Sequence, residues 1–88
     1  MIKTKQKLPI WFNGTVYEQG EEVTNQFSGQ SIDLTAEELS MYDFIMGSQM
    51  ILEIDELSSW NKNIQLQMSK GLNWFRNNNA EAYMVLLD

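Results

Sequence analysis

The chain has 88 residues, a net charge of −6, and neither Cys nor His. That length holds one domain with one thin core. The missing residue types exclude a disulfide framework, a thiolate nucleophile, thiolate or imidazole metal sites and the commonest general base, while 43% apolar content argues for a folded chain over an acidic tail.

The first third reads as strands and turns, over about 8–34. Lys3, Lys5 and Lys7 alternate as in an extended edge or frayed terminus. Asn13-Gly14 is a strong hairpin signal, flanked by the β-prone stretches Leu8–Phe12 and Thr15–Tyr17. Pro9 has no N–H to donate and belongs at an edge or strand start. Glu18–Glu21 reads as a second turn, and Val23 as a continuation of the sheet. Ser28-Gly29 is a third turn, between Gln26-Phe27 and Ser31–Leu34. Two to four short antiparallel strands are expected.

Thr35-Ala36-Glu37-Glu38 is a capping box that opens a helix over about 36–54, with Leu34 and Leu39 placed as a hydrophobic staple. Gly47 interrupts the pattern, as a close-packing point or a break. A second helix is expected over about 60–77, with Trp60, Ile64, Met68, Gly71, Leu72 and Phe75 on one apolar stripe. Asn77–Asn79 ends it, and Asn79 can cap a short helix over about 80–86. The run Tyr83–Leu87 also suits a terminal strand, although helix is the preferred reading. The expected fold is a single α+β domain: an N-terminal antiparallel hairpin sheet, two main helices and a short C-terminal one.

The first helix is apolar nearly all round. Leu39, Met46 and Met50 form one cluster, and Met41, Ile45 and Leu52 lie on nearly the opposite side. Phe44 and Ile51 occupy a third side. Such a helix is normally covered on several sides, which one small sheet and one amphipathic helix do not readily achieve. Either Gly47 splits the helix, or a second chain covers the rest; the second-chain reading is preferred. Phe44 and Ile51 are then the interface anchors, with Met41 behind them, and Met46 and Met50 face the intrachain core. The expected product is a homo-oligomer, dimer or higher.

No constellation points to catalysis, a metal or a cofactor. Neighbours on a helix point about 100° apart, so Glu37-Glu38 does not converge on one ion, and Asp55-Glu56 lacks the ligand spacing of a calcium loop. The five Gly are scattered and make no phosphate-binding loop. Trp60, Trp74 and Phe75 are candidate stacking rings, with Trp74 just off the apolar stripe and the best placed to be exposed. Direct nucleic-acid binding is disfavoured by six basic residues against twelve acidic ones. No stretch approaches the ~20 apolar residues of a membrane span, and no signal segment is visible. From Leu8 to Asn61 there are ten Asp or Glu and no Lys or Arg. This reads as a solvated acidic surface, or as a face that docks on a basic partner in the manner of an acidic inhibitor or nucleic-acid mimic.

Three segments, Trp11–Glu18, Leu39–Gly47 and Gly71–Asp88, resemble small uncharacterised proteins of tailed bacteriophages, particularly marine ones. The resemblance covers most of the chain and implies a phage origin, with no known activity and no functional residues to transfer. Relatives often carry Pro at the position of Ala80, which suits a helix start there. The expected role is a non-enzymatic interaction protein in the cytoplasm of an infected host cell, self-assembling through the first helix and binding a host or phage protein.

Overall fold

The computed structural model describes residues 6–54 and 61–87. Strands β1 (Glu21–Thr24) and β2 (Ser31–Leu34) form an antiparallel hairpin, with Glu21 opposite Leu34 and Thr24 opposite Ser31. Helices α1 (Ala36–Ile54), α2 (Asn61–Asn78) and α3 (Ala80–Leu86) follow. The α+β order read from the sequence is the one observed.

The hairpin closes at the Ser28-Gly29 turn. Gly29 takes φ +78°, the left-handed region that glycine enters without steric cost. Its N–H donates to the Asn25 carbonyl at 2.8 Å, and the Asn25 N–H donates to the Gln30 carbonyl at 2.8 Å. The hydroxyls of Thr24 and Ser31 meet across the strands at 2.7 Å.

Asn13-Gly14 makes no hairpin, and Leu8–Phe12 and Thr15–Tyr17 are not strands. A type I′ turn needs two positive φ values, and among the described residues only Gly29 has one. Tertiary burial overrides the local signal. Trp11 and Phe12 pack on Phe44, with ring centroids 5.8 and 5.4 Å apart. The Phe12 N–H turns back to the Pro9 carbonyl at 3.0 Å, and the Tyr17 N–H donates to the Ser40 hydroxyl on α1 at 2.9 Å. The segment is therefore laid on α1 rather than paired with itself.

The capping box is realised at α1. The Glu38 N–H donates to the Thr35 hydroxyl at 3.2 Å, and the Thr35 N–H donates to the Glu38 carboxylate at 2.9 Å. Helix α1 runs unbroken through Gly47, where an added Cβ would meet nothing within 4 Å. Gly47 is thus neither a break nor a packing point. Gly71 on α2 is the close approach: a Cβ there would lie 3.1 Å from Met41 Sδ and 3.3 Å from Ile45 Cγ1. Asn79 caps α3, accepting from the Ala82 N–H at 3.0 Å. The run from Tyr83 continues as helix to Leu86, and the Leu87 N–H closes on the Tyr83 carbonyl.

The core gathers Leu34, Leu39, Met41, Ile45, Phe75 and Ala82. It lies around the first half of α1, where β2, α2 and the N-terminal segment supply cover. Ile64, Gly71 and Phe75 are buried on α2, on the stripe its periodicity predicts. Leu39, Met46 and Met50 share a stripe of α1, yet only Leu39 is buried. Met46 and Met50 do not face the intrachain core, because the rest of the described chain leaves them 41% and 62% exposed.

Candidate functional site

Two surfaces stand out. One is the outward side of the second half of α1. At 100° per residue, Met50 points about 180° away from Met41. Met41 is 0% exposed and Met50 62%; Met46 and Ile51 are 41% and 39% exposed. From Phe44 to Leu52 the helix carries no charge, in a chain of net charge −6.

This side borders a groove of about 390 Å³. One wall is the turn after β1, from Thr24 to Phe27; the floor is Tyr42, Met46 and Gln49; the far wall is Leu86 and Leu87. No charged side chain lines it. Asn25 builds the turn wall. Its side-chain oxygen accepts from the N–H groups of Phe27 at 2.8 Å and Ser28 at 3.3 Å, an Asx turn. Its side-chain amide donates to the Val85 carbonyl on α3 at 2.8 Å. The turn is tied to the helical layer, and Phe27 stands on it with its side chain 101% exposed.

The second surface is a polar groove of about 760 Å³ where β2, the start of α1 and the α2–α3 junction meet. Asp33, Glu37, Glu38 and Glu81 line it, with three asparagines and no Lys or Arg. Glu38 is buried. Besides Thr35, its carboxylate accepts from Gln6 Nε2 at 2.7 Å and Asn79 Nδ2 at 3.1 Å. It joins three separate parts of the chain, and both of its oxygens are occupied by those bonds. Among the described residues, no group of three or more acidic side chains has the geometry to hold a metal ion.

The structure redistributes the residues singled out from sequence. Met41 is wholly buried against α2 and has no surface to offer a partner, which corrects its place as an interface residue. Phe44 is half-buried beneath Trp11 and Phe12, so most of its ring is already used within the chain. Ile51 remains on the surface. Trp74 is half-buried and donates its indole N–H to the Lys7 carbonyl at 2.9 Å, so it is not a free stacking ring. Phe75 is core. Trp60, Asp55 and Glu56 lie outside the described residues.

Sequence reasoning missed Phe27 and its support. The signal was present: Asn25 stands where an Asx turn begins, Gly29 where it ends, and an aromatic lies between them. Two tyrosines are perturbed. The phenol of Tyr17 is raised above its ordinary value, chiefly by the Asp43 carboxylate, and burial raises that of Tyr42. Tyr17 is also hydrogen-bonded to that carboxylate.

No described helix is long and apolar enough to cross a membrane. No family model, curated protein or solved structure matches the chain.

Proposed function

We propose that this protein is a non-enzymatic interaction module that self-assembles through the outward side of α1, in the cytoplasm of a phage-infected cell. One observation carries the reading: Met46 and Met50 are exposed together on one side of an uncharged stretch of helix, with Ile51 exposed on the next side round. Burying such side chains is worth roughly 25 cal/mol per Å² of apolar surface, and a soluble monomer rarely leaves a contiguous apolar patch uncovered. Phe44, Ile51 and Met41 were the anchors read from sequence; the geometry supports Ile51 with Met46 and Met50 instead.

The experiment is molar mass in solution across protein and salt concentration. Self-assembly predicts a mass above the monomer that persists or rises with salt. A monomer at every concentration overturns it. The polar groove, with four carboxylates and no basic residue, favours a second reading: a face that takes a basic surface of a host or phage protein, as an acidic inhibitor would. That contact would weaken as salt rises, so the same titration separates the two.

A further inference from the structure

We infer that the partner copy is held by a reciprocal knob-and-groove contact, in which Phe27 of each chain docks in the groove between the β-turn and α1 of the other. The inference rests on the self-assembly reading and names the residue that anchors it.

Three observations carry it. First, the knob is preorganised. Phe27 contributes no burial to its own chain, yet the turn beneath it is fixed by the hydrogen bonds of Asn25 to Phe27, Ser28, Gly29, Gln30 and Val85. With the turn backbone fixed, docking orders only the two side-chain torsions of Phe27, and aromatic side chains are enriched at the desolvated centres of interfaces.

Second, knob and groove lie on one face, because Phe27 is itself on the rim of the groove. Such an arrangement is self-complementary under a two-fold axis: each copy gives a ring and receives one, and the contact closes at two chains. The groove volume of about 390 Å³ exceeds the ~150 Å³ of a cavity that takes up benzene, so a phenyl ring fits.

Third, charge selects this face for a second copy. Two chains of net charge −6 repel over most of their surface, and the groove lining carries no carboxylate. A basic partner would gain nothing there. A fully exposed Phe offers roughly 150–250 Å². With the exposed parts of Met46 and Met50 alongside, and doubled by the two-fold, the contact stays below the ~1,200 Å² of standard interfaces, in the size range of weak, reversible ones.

The test measures dimer dissociation by sedimentation from about 1 μM to 1 mM, a range suited to an interface of this size. Phe27→Ser is compared with wild type and with Met84→Ser, which removes an exposed apolar side chain that is not on the groove. Because Phe27 is wholly exposed, Phe27→Ser should melt like the wild-type monomer. The expected result is a dissociation constant about 100-fold higher in Phe27→Ser, since each dimer loses two anchors, and no change in Met84→Ser. In a mixture of isotope-labelled and unlabelled chains, filtered NOEs should connect the Phe27 ring of one copy to the Met46 methyl of the other. A dimer that Phe27→Ser leaves intact, or one without those NOEs, overturns this contact while self-assembly stands. A wild-type chain that stays monomeric overturns both.

Discussion

The two halves of α1 spend the same residue type in opposite ways. Met41 is sealed against Gly71 of α2, and Met50, nine residues on, lies in the open. The two point to opposite sides of one continuous helix, and on Met41's side burial continues through Ile45 and Ser48. On the side away from α2, cover changes along the helix: Leu39 is buried, whereas Met46 and Met50 are exposed. That side of α1 is therefore core at its start and, over its second half, surface with the composition of a core. An apolar residue tells how much burial is available, and its neighbours in space decide whether the chain supplies that burial itself.

The most severe way to break this contrast is to truncate both methionines. Met41→Ala should cost about 2–5 kcal/mol by leaving a cavity in the core. Met50→Ala should stay within about 0.5 kcal/mol for the monomer. Urea unfolding under dilute conditions measures both, and equal costs would show that α1 is not divided as described. Next in size, Glu38→Ala should lose about 2–3 kcal/mol, because the donors on Gln6, Thr35 and Asn79 are left without their acceptor.

The two helical glycines sharpen the comparison. Gly71→Val drives a branched side chain into Met41 and Ile45 and should cost about 1–3 kcal/mol. Gly47→Ala meets open space and should gain up to about 1 kcal/mol from helix propensity. For a domain of this size, each 1 kcal/mol moves the midpoint of thermal unfolding by about 4–8 °C. A gain in monomer stability with loss of association at Gly47→Ala would place that backbone inside the subunit contact.

The smallest effect is at high pH. Both Tyr17 and Tyr42 titrate above the ordinary phenol value of 10.0. Around and above pH 10 the unfolded chain releases these protons while the folded chain still holds them. Their contribution to stability is complete below that range and falls as pH rises through the folded values. Asp43→Asn should lower the Tyr17 value, because the carboxylate is its main cause. Phenolate absorbance across an alkaline titration follows both rings.

The helices were largely legible in the sequence because their signals are local. The Thr35–Glu38 box, the apolar stripe of α2 and the Asn79 cap are each contained in a few neighbouring residues. Asn13-Gly14 was equally local and still misleading, since Trp11 and Phe12 gain more by covering Phe44 than by pairing as a strand. The interface was legible only in part. Surplus apolar surface on α1 could be read from its wheel, but Phe44 and Met46 exchanged roles once the N-terminal segment was laid on one side of the helix and not the other. Phe27 escaped notice because an isolated aromatic in a turn has no periodicity to mark it.

The sequence by itself determined a small acidic α+β domain without Cys or His chemistry, and a first helix with more apolar surface than one helical face can hide. Local hydrogen bonding and side-chain period fix those features wherever the chain lies. Only the tertiary structure decided which part of that helix is core and which is surface. Burial depends on where distant segments come to rest: the start of the chain over Phe44, α2 against Met41 and Ile45, and only partial cover over Met50.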